Sequence, residues 1–169
     1  MKTHLRANLV ANLVTGQSSR MATRIGVGVV LAAMAMATQA FAASPHADGE
    51  HFSVDAALVG ICSAGAECAI AIKVTVRDEF HVNPEYPHKF IAQDAAGVEF
   101  LGKDTAKKNV FSKTAGDFVT ADPKSCVLTV RLKSQAGTPT ITGTLKLGVC
   151  SDQNCLLPSV ELAVPVTVR

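Results

Sequence analysis

Cys150 and Cys155, in the stretch Leu147-Gly-Val-Cys-Ser-Asp-Gln-Asn-Cys-Leu-Leu-Pro158, are the side chains whose type and spacing most clearly permit chemistry. The stretch reads as strand, turn and strand, so the two thiols can meet in a small ring. A ring that tight is prone to strain, and strained or exposed disulfides are the ones that exchange. The chemistry on offer is thiol–disulfide exchange at a hairpin, a different arrangement from the helical Cys-x-x-Cys pair. The spacing alone favours a structural staple over a redox pair. In the chain-entropy model a ring of this size contributes about 2 kcal/mol, and a ring from Cys62 to Cys68 nearly the same. Loop entropy therefore does not separate staple from switch.

Other chemistries are poorly served. His81 and His88 could join cysteines around zinc, but no Cys-x2-Cys or His-x3–5-His spacing accompanies them, so no metal site is expected. Serine nucleophile elbows, zinc-protease helices, phosphate loops and calcium loops are absent from the sequence. No cofactor is implied.

The elements around the cysteines read as strands. Phe52 to Ile61 can be a strand, and Cys62-Ser-Ala-Gly-Ala-Glu-Cys68 is a Gly-centred turn suited to a structural disulfide. Ile70, Ile72, Val74 and Val76 alternate, as do Cys126, Leu128, Val130 and Leu132, which makes Cys126 a buried, inert thiol. Leu145, Leu147 and Val149 align, and Val160, Leu162, Val164, Val166 and Val168 form the cleanest alternation. Pro165 within that run predicts an edge position or a bulge. His81 to His88 holds two prolines and reads as a loop. His88–Gln93 and Val98–Leu101 are weaker strands, and 102–123, polar and Lys-rich, is either a long loop with a short strand near Val110–Phe111 or a loosely packed edge. No stretch shows a helical period. Seven or eight short strands with Gly/Pro turns predict one antiparallel β-sandwich domain over 52–169, after a loose leader over 43–51.

Residues 1–42 read as a secretory signal rather than as fold. Arg20 and Arg24 precede an uncharged run from Ile25 to Ala37, followed by Ala40-Phe41-Ala42. Met21 is an alternative start. Thr38 and Gln39 interrupt the run, which falls short of a comfortable membrane span, so stable insertion is not expected after cleavage. Export permits disulfides, and five cysteines leave at least one thiol over. The signal also carries the positive charge. Without Lys2, Arg6, Arg20 and Arg24, the 16 Lys and Arg fall to 12 against 14 Asp and Glu, a net charge of −2. With that balance, no Trp and one Tyr, nucleic-acid binding has no footprint.

Gly148-Val-Cys-Ser-Asp-Gln-Asn-Cys-Leu-Leu-Pro158, followed by an alternating terminal strand, resembles the active-site hairpin of the periplasmic N-terminal domain of the thiol:disulfide interchange protein DsbD. Glu99-Phe-Leu-Gly-Lys103 resembles that family's cap loop, and Phe80-His-Val-Asn-Pro84 a Gly-Trp-His-Ile-Asn type segment. The resemblance implies an immunoglobulin-like sandwich and an electron relay. Cys150 and Cys155 would be the catalytic pair, taking electrons from a membrane-embedded thiol reductant. They would pass them to thioredoxin-like or disulfide-containing periplasmic proteins, with Cys155 engaging the partner first. Phe100 would be the lid that shields the pair, flanked by Glu99 and Leu101. Val98 stands where the family often has an acid, and Leu101 where it often has an aromatic. The Cys62/Cys68 pair is not supplied by the resemblance. The alternative reading is a secreted immunoglobulin-like binding or assembly module whose disulfides are all structural.

Overall fold

The computed structural model describes residues 43–169; the expected signal segment lies outside the described residues. Thirteen strands follow one another: β1 (His46–Asp48), β2 (Phe52–Val59), β3 (Glu67–Val76), β4 (His81–Val82), β5 (Lys89–Ala92), β6 (Val98–Phe100), β7 (Val110–Ser112), β8 (Phe118–Asp122), β9 (Ser125–Ser134), β10 (Thr140–Lys146), β11 (Val149–Cys150), β12 (Cys155–Leu156) and β13 (Ser159–Pro165). One sheet runs β1-β2-β3-β9, with β6 and β8 both on the far edge of β9. The other runs β13-β10-β5-β7. Taking β2, β3, β8 and β9 as A, B, D and E, and β5, β10 and β13 as C, F and G, the order is ABED against CFG. The chain is an all-β, immunoglobulin-like antiparallel sandwich.

Alternation is what closes it. Every second residue of β3 and β9 is buried, from Cys68 to Val76 and from Cys126 to Ser134. Opposite them lie Phe90, Phe111, Ile141, Leu145, Leu162 and Val164 of the second sheet, and all belong to one core. Pro165 ends β13 at the sheet's edge, where its missing N–H leaves no ladder bond unmade.

Three segments depart from the expectations. Within the supposed leader, β1 pairs with β2, and Ser44 bridges to Leu162 of β13, so this short segment touches the edges of both sheets. His46 fixes it there, with Nδ1 2.7 Å from Asp55 and Nε2 2.8 Å from Asp48. Those bonds raise the pKa of His46, Asp48 first and Asp55 second. Within 102–123, expected as a loop or a loosely packed edge, β8 pairs with β9 at the sheet's edge through Phe118↔Leu128. Phe118 is its buried anchor while Val119 is exposed, too short a pattern to count as alternation in the sequence. His81–Val82, expected as loop, is a strand against β11.

That last strand is positioned from below. Asp122 accepts hydrogen bonds from Ser125 Oγ (2.9 Å) and Lys124 N (2.6 Å), and these bonds lower its pKa. The turn so formed holds the 76–82 segment: Val76 N donates to Lys124 O, Val82 N to Pro123 O, and Lys124 Nζ to the carbonyls of Asp78 and Phe80. β4 is thereby fixed as the bed on which the cysteine hairpin lies.

Candidate functional site

β12, β11 and β4 form a small third sheet at one end of the sandwich. Cys150 and Cys155 face each other in register, with Cα atoms 4.0 Å apart, and are joined as a disulfide. The turn between them lacks glycine, yet it needs none. Ser151 N donates to Asn154 O (2.8 Å), and Ser151 Oγ accepts from Asn154 N (3.1 Å) and Gln153 N (3.3 Å). A serine hydroxyl thus ties up the turn amides, and no residue of the turn adopts positive φ.

The two sulfurs have different surroundings. Cys150 is 4% exposed, whereas both residues of β12 are exposed and β12 is the outer strand of its sheet. Leu156 and Leu157 beside Cys155 are also exposed. On the buried side, Asn83 Nδ2 lies 3.1 Å from Cys150 Sγ.

Behind Asn83 sits His88, 1% exposed and stacked on Phe118 at 4.6 Å. Gly148 N donates to its Nδ1 (3.3 Å), so Nδ1 is unprotonated and Nε2 carries the hydrogen it donates to Asn83 O (2.7 Å). Asn83 N donates to Gly148 O at 2.9 Å. Asn83 and Gly148 continue the β4–β11 register, and the imidazole replaces the second of the two hydrogen bonds such a pair would exchange. Burial lowers the His88 pKa, against the opposing pull of the Asn83 carbonyl. Gly148 is required there: a Cβ would stand 2.5 Å from Tyr86 Cγ.

Phe100, Glu99 and Leu101 do not cover the cysteines, which corrects the lid expectation. Phe100 pairs with Leu132, which pairs with Cys68 on the other side of β9. The hairpin instead lies past the Ser125 end of β9, roughly 20 Å away at about 3.3 Å per residue. Phe100 is a core residue, 6% exposed and edge-on to Phe111 at 6.2 Å. Glu99 stands opposite Lys133, and Leu101 N donates to Arg131 O. A core position and a lid position give a phenylalanine the same local sequence, so pairing partners alone could separate them.

Cys62 and Cys68 are bonded, buried, and at that opposite end, with Cα atoms 5.2 Å apart. They fasten the chain terminus: Arg169 N donates to Cys62 O, and Ala64 N to Arg169 O. Replacing both with alanine should lower stability by about 2 kcal/mol in denaturant unfolding. The reactivity of Cys150 and Cys155 should not change; a changed exchange rate would contradict this separation. Cys126 is fully buried and burial pushes its thiol up to about 12. Among the described residues no three His, Cys, Asp or Glu side chains gather as a metal site. Sequence reasoning missed Asn83 as a site residue, although it singled out the segment holding it, and weighed His88 only as a zinc ligand.

No family model and no curated protein matches this chain. Among solved structures, it is similar to AggA, the major subunit of aggregative adherence fimbriae type I from Escherichia coli. That similarity has 12% identity and a TM-score of 0.34, over 73% of this chain and 99% of AggA. It is also similar to the ASH/PapD-like domain 7 of human CEP192, with 11% identity and a TM-score of 0.25, over 78% of this chain and 97% of that one.

Proposed function

We propose that this chain is an exported thiol–disulfide exchange domain, similar to the N-terminal domain of DsbD, that relays electrons in the periplasm through Cys150 and Cys155. The observation that carries the reading is the asymmetry of the bonded pair: Cys155 is open on an outer strand while Cys150 is buried under an amide. Exchange needs one sulfur that a partner can reach and a second that returns to release it.

In the loading direction, a thiolate of a membrane-embedded dithiol attacks Cys155 Sγ. The Cys150–Cys155 bond breaks, its electron pair stays on Cys150 Sγ, and a mixed disulfide forms at Cys155. The donor's second thiolate then attacks its own bridging sulfur, releasing Cys155 as a thiolate and leaving the donor oxidised. Two electrons have entered the pair, and the two protons follow from solvent. The reverse sequence reduces a periplasmic partner's disulfide.

Cys150→Ser keeps the reachable sulfur and removes the one that releases the partner. Expressed in its native compartment, this variant should accumulate mixed disulfides that reductant dissolves, while Cys155→Ser should yield several-fold fewer. Trapping by neither variant, with both folded, would favour the purely structural module.

A further inference from the structure

We propose that Asn83 is a catalytic residue of this exchange, its side-chain amide holding the Cys150 sulfur as the leaving and resolving thiolate, and that His88 positions it. The proposal rests on the exchange reading and adds the group that makes the two sulfurs unequal.

The orientation of the Asn83 amide is fixed by its other end. Asn83 Oδ1 accepts a hydrogen bond from Glu85 N at 2.8 Å, and only a carbonyl oxygen can do so. Nδ2 must therefore be the atom facing Cys150 Sγ at 3.1 Å, with an N–H to give. A neutral disulfide sulfur is a weak acceptor and a thiolate a strong one. The contact is thus weak while the pair is bonded and strengthens as the bond breaks toward Cys150. An interaction stronger in the transition state than in the ground state is what accelerates a step.

The backbone of Asn83 is equally constrained. Its N–H goes to Gly148 O and its carbonyl takes the Nε2–H of His88, whose Nδ1 is held by Gly148 N. Gly148 immediately precedes β11, two residues before Cys150, so the imidazole ties the amide donor to the strand that carries its acceptor. In the forward step, attack on Cys155 forms the partner–Cys155 bond, breaks Cys150–Cys155, and leaves the electron pair on Cys150 against the Asn83 N–H. In the return step that stabilised thiolate attacks Cys155 and expels the partner's thiolate. The titratable groups on the surrounding elements are His81 opposite Cys150, Glu85 and His88 bonded to Asn83, Tyr86 against Gly148 and His88, Asp122 and Lys124 below β4, Lys113 near His88, and Asp152 in the turn. Asn83 is the group that hydrogen-bonds to the sulfur.

The test is the titration of Cys150 in the Cys155→Ser chain, where it is free without added reductant, read by thiolate absorbance or by the pH profile of alkylation. Asn83→Ala should raise the Cys150 pKa by about one unit through loss of a hydrogen bond to the charged form. Asn83→Asp keeps the acceptor for Glu85 N but turns an oxygen toward the sulfur, and should raise it by about two. His88→Phe should produce a smaller rise that His88→Gln, with a donor and an acceptor, partly reverses. A merely structural Asn83 would let Asn83→Ala titrate as the parent does, since Asn83→Asp brings a negative charge beside the sulfur whatever the amide's role. That result, or a Cys150 pKa indifferent to both Asn83 variants, would overturn the proposal. The titration needs no partner. Shifts as expected without mixed-disulfide trapping would remove the relay and leave the amide's role standing; trapping with an unmoved pKa would do the reverse.

Discussion

As pH falls below 6.5, the unfolded value for histidine, the folded chain should lose stability by up to about 1.4 kcal/mol per pH unit, and His88→Phe should remove that slope. The cause is the imidazole between Asn83 O and Gly148 N. Its burial, first of all, and the nearby Lys113 charge lower its folded pKa, while the Asn83 carbonyl opposes them. Between the unfolded and the lowered folded value, the unfolded chain therefore binds the extra proton and the native chain does not. Stability is fully present above 6.5 and declines as pH drops through that window, then levels once the native histidine also protonates. Protonation further requires Nδ1 to stop accepting from Gly148 N, which breaks the bridge. Phenylalanine should keep the stack on Phe118 but orphan the buried Gly148 N–H, costing about 1–3 kcal/mol at pH 8. The measurement is denaturant unfolding of both chains from pH 5 to 8. His46 titrates with the opposite sign, since its pKa is raised by Asp48 and Asp55, but it is exposed and common to both chains, so the difference curve isolates His88. Parallel curves would mean that His88 does not carry the effect.

The fold was legible wherever a strand buries one face over several residues. Ile70 to Val76 and Cys126 to Leu132 declare their pairing face by alternation alone, and the Gly and Pro turns between such runs give the sandwich. β1 and β8 were not legible, because each draws its stability from a neighbour rather than from its own pattern: β1 from the His46 bonds, β8 from register with β9. The hairpin was legible because two cysteines, a polar turn and a downstream proline lie within one stretch. Its surroundings were not. Asn83 reaches Cys150 across 67 positions of sequence, and His88 reaches Gly148 across 60; no local pattern encodes such contacts. The same limit explains Phe100. The Glu-Phe-Leu-Gly motif fixes a short strand and a turn, but which end of β9 that strand meets is a matter of topology.

The site that results is economical in parts. In the proposed exchange one edge strand offers a sulfur, one half-buried amide receives the displaced one, and a neutral histidine holds the amide in register. Stabilising the Cys150 thiolate favours the reduced pair over the bonded one, which moves the reduction potential upward. Among the described residues the buried Cys62–Cys68 bond has no such side-chain amide, and it should remain far harder to reduce, giving the chain an internal reference.

Equilibrating the chain against graded thiol–disulfide buffers, and quantifying free Cys150 and Cys155 separately from Cys62 and Cys68, measures that potential directly. A relay requires the hairpin pair to reduce at roughly −200 to −270 mV, within reach of thioredoxin-like partners, while the Cys62–Cys68 bond stays closed. A gap of 30 mV corresponds to about 1.4 kcal/mol, so the two classes of bond are well separated. If the hairpin pair instead resists reduction below about −300 mV together with Cys62–Cys68, it is a staple, and electron transfer by this domain is contradicted.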